Sequence, residues 1–424
     1  MALENLVTQI QALSGNAEDL PQLHSILKAA DEPLHADPSL LISLLDQLEP
    51  SRHSLGYLYI LEALSSGPVS KEQANGMVLT IARFIDACDA QQIRLVPDKF
   101  VTICRRLKDQ ALLLEAPLRG VYPMLTALRK LAISSEHLTS LHPEFLLLCL
   151  LSKSYKLGLS ILDNDIFEVD QPRDLFLYCY YGGMICIGQK HFQKALELLR
   201  NVITAPMNAI NPIAVEAYKK YILVSLIRNG QFSSSLPKYT SSAAQRSLKT
   251  FCQQPYVELA NTYGNGKVKE LEDYVQANTE KFKSDNNLGL AKQVVSSMYK
   301  RSIQRLTLTY LTLSLQDIAD AVQLKTPKEA ELHILQMIQD SEIFASINQK
   351  DGMVSFLEDP EQYKNNDMIE HIDSSIQRMM TLSKKLASMD EAMSYDPQYL
   401  GKAGRERQKF DMDDFDNVPQ KFTA

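Results

Sequence analysis

The spacing of apolar residues constrains this chain more than any other feature. Leu3, Leu6, Val7, Ile10 and Leu13 recur every three or four positions, the period of a helix with one buried face. The same spacing returns over 40–48, 55–64, 82–88, 100–107, 123–131 and 143–152, and the last two open on Pro at the first turn. Alternating runs, which strands would show, are almost absent before about residue 305. Short helices separated by polar or Gly/Pro breaks are the pattern of an α-solenoid whose repeats have diverged.

One repeat can be read closely. Gly183 and Ala195 stand twelve positions apart in a helical stretch, the two small positions at which paired helices of a tetratricopeptide-like hairpin approach each other. Pro206 closes the second helix, and a further helix beginning at Glu216 ends on Asn229-Gly230, a left-handed cap signal. An unrelated bundle with fortuitous Gly and Ala is the alternative. Tyr178, Tyr180 and Tyr181 read as helix-face packing rather than a ligand box.

The period then changes. Residues 306–313 are rich in β-branched and aromatic side chains and can end in a short strand. Ser314 caps a helix through Val322, and Thr326-Pro327-Lys328-Glu329 opens a second that turns Ala330, Ile334, Leu335 and Ile338 inward. Ile343–Asn348 and Met353–Phe356 flank Asp351-Gly352, a strong hairpin signal. Strand, helix, helix, hairpin is the order of a winged helix. The second helix carries Glu329, Glu331 and Asp340 against Lys328, a poor match to the phosphates of a DNA groove, so a protein-binding winged helix is expected.

A final helix spans about 366–393, with Ile369, Ile372, Ile376, Met379, Leu386 and Met389 on one face. A lone helix cannot bury its own seam. These residues are therefore expected to form a subunit interface, packed in a helical bundle with other chains, and a fold-back onto this chain is the alternative. After Pro397 the sequence turns polar and offers little to bury. The divisions expected are a helical-repeat solenoid over 1–195, a helical segment over 196–300, a winged helix over 301–357, a bundle helix over 365–393 and a disordered tail over 396–424. The fold class is therefore predominantly all-α, with a small α+β winged helix and a long C-terminal helix.

Chemistry is judged by what is missing. The 424 residues contain no Cys-x-x-Cys, His-x-His or His-Glu-x-x-His, so no catalytic, cofactor-binding or metal residues are assigned. The six Cys are scattered among apolar neighbours and read as buried thiols. His35 near Asp37 and His137 after Glu136 read as surface or capping pairs. Gly182-Gly183 sits within a helix, not in a phosphate cradle. A net charge of −7 argues against general nucleic-acid binding. No apolar run is long enough for a membrane span, and the N-terminus carries no secretory pattern.

Helical repeats leading into a winged helix and a terminal helix resemble the PCI-domain proteins of the proteasome lid, the COP-nine signalosome and translation initiation factor three. Within that group, residues 53–56, 117–120, 180–184, 216–226, 236–239, 312–317 and 344–356 resemble the signalosome's subunit-three family. The resemblance implies a non-catalytic scaffold, in the nucleus and cytoplasm, of an assembly that removes the ubiquitin-like Nedd modifier from cullin-RING ligases. It implies no cofactor, no small-molecule substrate, no membrane and no direct nucleic acid. It also implies that the hairpin joins neighbouring signalosome subunits edge to edge, through Ile343, Phe344, Ser346 and Asn348 or through Met353, Val354 and Phe356. The tail resembles the plant form, which implies a role in repressing photomorphogenesis. A proteasome-lid scaffold and a winged-helix DNA-binding regulator are the alternatives.

Overall fold

The computed structural model describes the chain except for Met1, Ala17, Asp37, Pro68, Val69, Asn208, residues 359–365, Gln398 and residues 402–424. Asp37 and nearly all of the tail expected over 396–424 thus lie outside the described residues. The fold divides into two compact units, residues 1–308 with 319–325, and residues 309–318 with those from 326 onward.

The first unit is a succession of helices that share one hydrophobic core, running from Leu6 to Met298. Local sequence sets many of the helix ends. Ser70 and Gln73 form a reciprocal capping box at the start of Lys71–Ala87, which satisfies two backbone donors that the helix itself leaves unpaired. Asp89, Asn211 and Ser241 cap later helices more simply, each with a side-chain oxygen that accepts one backbone N–H. The expected hairpin is present as Pro172–Gly188 packed on Phe192–Thr204. A Cβ on Gly183 would lie 3.1 Å from Leu199 and 3.8 Å from the Ala195 carbonyl. The two small positions are thus where the helices meet.

Two features depart from the sequence reading. The helix expected to open at Pro123 begins at Leu118, behind Pro117 at its N-cap. It runs on through Pro123, which has no N–H to donate to the Arg119 carbonyl. Two short strands, β1 (His137–Leu138) and β2 (Glu168–Val169), pair in parallel, and strands of two residues are too short to alternate visibly. All six Cys are buried free thiols. Burial pushes Cys149, Cys179 and Cys252 up to about 12 and Cys186 to about 11, so they remain protonated and unreactive.

The second unit holds the winged-helix sheet. Its strands are β3 (Thr312–Ser314), β4 (Phe344–Asn348) and β5 (Met353–Leu357). The sheet is antiparallel in the order β3-β5-β4. Gly352 takes φ +63 in the turn that joins β4 to β5, a conformation that costs glycine little. Ser314 Oγ accepts from the Asp317 N–H at 3.0 Å, and Thr326 Oγ1 accepts from the Glu329 N–H at 3.3 Å. These caps start the helices Leu315–Val322 and Pro327–Gln339. The second helix buries Ala330, Ile334 and Met337. Leu335, expected to point inward, is 42 % exposed. Met337 takes the inward position that completes the helical spacing from Ala330 and Ile334.

Candidate subunit interface

Strand order decides which backbone is open. β5 lies between β3 and β4, so both of its sides are paired and Met353–Phe356 cannot supply a joining edge. That half of the expectation is corrected. Val354 and Phe356 are also buried, as is Ile343 before β4. These three side chains pack within the protein rather than on its surface. Phe344 and Met353, each 36 % exposed, together with Ser346 and Asn348, lie on the open face of the sheet.

β4 has a free side along five residues. Its outward groups follow from the register. Phe356 N–H donates to the Leu311 carbonyl at 2.8 Å, so the backbone of Phe356, and of Val354 two residues earlier, faces β3. Their partners across β4 are Ala345 and Ile347. In an antiparallel ladder, residues opposite such positions turn N–H and C=O the other way. Ala345 and Ile347 therefore present their backbone groups at the free edge.

The same two residues line a groove. Ala345 and Ile347 face Leu335 and Ile338 across a groove of about 660 Å³, with Glu331, Asn348, Gln349 and Lys350 also on its wall. Gln349 Nε2 donates to Glu331 Oε1 at 2.8 Å, tying the wing tip to the helix. An open strand edge beside an apolar groove suits an added strand, with ladder bonds supplying affinity and the groove taking alternate side chains. None of Leu335, Ile338, Ala345 and Ile347 was assigned to the interface from the sequence. The alternation of 345 and 347 with 344, 346 and 348 is the signal the sequence offers, and the expectation singles out Ile343, Phe344, Ser346 and Asn348 within that segment. The outward face of Pro327–Gln339 shows Leu332, Leu335, Gln336 and Gln339 beside Lys328, an apolar and amide surface rather than a cationic one for phosphates.

The terminal helix spans Asn366–Ser394. Ile369, Ile372, Ile376, Met379, Leu386 and Met389 are each between 47 % and 72 % exposed. The structure thus leaves this seam uncovered along its length.

Among the described residues, Asp31, His35 and Glu62 bring possible metal-ligating atoms within 4.8 Å of one another. Asp31 and Glu62 are also bound by the Lys99 ammonium, at 2.8 and 3.0 Å, and Glu62 pairs with Arg106 at 2.9 Å. Lys99 Nζ also lies 4.7 Å from the centre of the Tyr59 ring. The cluster is an ion-pair network that joins separate helices, with cations already at its carboxylates. His137 pairs with Asp170 at 2.9 Å and not through its neighbour Glu136. No helix of the described residues is long and apolar enough to cross a membrane.

Comparison with known proteins agrees with this architecture. The family model described as COP9 signalosome complex subunit 3, N-terminal helical repeats, matches residues 17–244, and the PCI domain model matches residues 271–358. A relative from Arabidopsis thaliana, named COP9 signalosome complex subunit 3, is 62 % identical over 100 % of this chain and 98 % of its own. The chain belongs to the COP9 signalosome subunit 3 family. A Drosophila melanogaster member of that name is 34 % identical over 95 % of this chain and 94 % of its own. The winged-helix sheet, with its β4 edge and groove, falls within the PCI match, whereas the terminal helix lies beyond it.

Proposed function

We infer that this chain is a non-catalytic scaffold subunit of the COP9 signalosome, working in the nucleus and cytoplasm. In that role it supports removal of the ubiquitin-like Nedd modifier from cullin-RING ubiquitin ligases, which it meets only through the assembled complex. In plants it contributes to repressing photomorphogenesis. The similarity over the whole chain to a signalosome subunit carries this reading. The open β4 edge and the uncovered terminal seam support it, because both are surfaces that a stable subunit completes with other chains. We assign 1–195 as the repeat solenoid, 196–300 as the helical part of the PCI domain, 301–357 as its winged helix and 365–393 as the bundle helix.

Affinity purification from native extract, with mass spectrometry of the partners, tests the assignment. Other signalosome subunits should co-purify, and the isolated chain should leave cullin–modifier conjugates intact with or without added zinc. Co-purification with the proteasome lid would overturn the assignment. So would conjugate cleavage that follows the pure protein peak and survives a chelator control.

A further inference from the structure

The β4 strand is complementary to itself. Its outward backbone groups belong to Ala345 and Ile347, placed symmetrically about Ser346, the middle residue of Phe344–Asn348. When a second β4 runs antiparallel to the first with Ser346 opposite Ser346, each Ala345 faces Ile347 of the copy. Both pairs then turn N–H and C=O toward each other, and each exchanges two ladder bonds. No other antiparallel register overlaps all five residues of the strand.

The side chains agree with that register. Ala345 is the small member of each pair and Ile347 the large one, so the isoleucine of the copy enters the groove beside Ala345, against Leu335 and Ile338. On the open face the exposed Ser346 meets its own copy, and two hydroxyls opposite each other can share a hydrogen bond. Past the strand ends the exposed Lys350 comes opposite the exposed Glu342 of the copy. The two-fold symmetry repeats that opposite-charge pair at the other end.

We propose that a second copy of this chain occupies the β4 edge when no neighbouring subunit does, joining two wings into one continuous sheet. The proposal rests on the reading of β4 as a joint and adds a regulation of it. Self-pairing covers an edge that is otherwise open to any strand, and a neighbouring subunit must displace the copy in order to assemble.

The purified full-length chain should show a concentration-dependent monomer–dimer equilibrium in sedimentation. Ile347→Pro, which removes an outward donor, should weaken it about tenfold or more. The Ser346 pair is not hydrogen-bonded, so its Cα atoms lie about 4.5 Å apart, within disulfide reach. Ser346→Cys should therefore give a disulfide-linked dimer on mild oxidation, whereas Phe344→Cys, which faces Asn348 of the copy, should not. Mixing Ser346→Cys with the other signalosome subunits before oxidation should suppress the link. A wild-type chain that stays monomeric, with Ser346→Cys unlinked and entry into the complex normal, would overturn self-pairing and leave the assembly role standing. Equal linking by Phe344→Cys, or a dimer indifferent to Ile347→Pro, would overturn it too. If Ile347→Pro enters the complex as wild type does, β4 is no joint, and the regulation proposed here falls with it.

Discussion

Glu62 is a point at which several helices depend on one side chain. It is 7 % exposed and binds Lys99 and Arg106 while lying 3.4 Å from His35. Glu62→Gln leaves two cations with less compensation. It should destabilise the first unit by about 2 kcal/mol, read as a shift in the urea midpoint; no shift would show that Asp31 and solvent suffice. His142 offers a second test. Burial pushes it down to about 4 from 6.5, with Thr139 N–H donating to its Nδ1 at 3.0 Å. Between those values the unfolded chain binds a proton that the folded chain refuses, so stability falls as pH drops from about 6.5 toward 4, by about 3 kcal/mol in all. His142→Asn keeps an acceptor for Thr139 and removes the titration. Denaturation at pH 7 and at pH 4.5 should show the variant losing less stability than wild type; equal losses would contradict the argument. Little of this is legible in the sequence. Asp31 and His35 stand four apart on one helix face, but Glu62 reaches them only through packing.

At the scale of elements, local signals are legible in the sequence and long-range pairing is not. The Asp351-Gly352 turn, the Ser314 and Thr326 caps and the Gly183–Ala195 spacing each act within a few residues or one hairpin, so their outcomes follow from the sequence. The position of β5 between β3 and β4 depends on a pairing across about forty residues of chain, which no local pattern encodes. That ordering changes which substitution tests the edge. Val354→Pro would break the protein's own sheet, whereas Ile347→Pro removes a donor that points outward. Ile347→Pro should abolish docking of a neighbouring winged helix while the chain keeps its circular dichroism spectrum. Assembly at the wild-type level would exclude β4 as the joint. For the terminal helix, Ile372→Asp with Ile376→Asp should leave the monomer's thermal melt within about 2 °C of wild type, since both side chains are already half exposed. A clear drop would show that the helix packs on its own chain.

For the whole molecule, the sequence carried the class of fold because it is written in short-range period: helices of 3.6-residue repeat over the first unit, then strand alternation in the wing. The surfaces proposed to join this chain to others are only partly legible there. An apolar side chain in a periodic stretch reads the same in the sequence whether the protein's own core buries it or leaves it exposed. Val354 is fully buried within the protein, whereas Ile372 is 47 % exposed. On the proposed function, the chain is an assembly subunit joined at two places, the wing edge and the terminal helix. Amine-reactive cross-linking of the intact native complex, followed by mass spectrometry, addresses both at once. Lys350 lies on the wall of the groove beside β4, and Lys384 is exposed on the terminal helix. Both lysines should cross-link to other signalosome subunits. Cross-links from both positions that stay within this chain, in a complex shown to be intact, would contradict it.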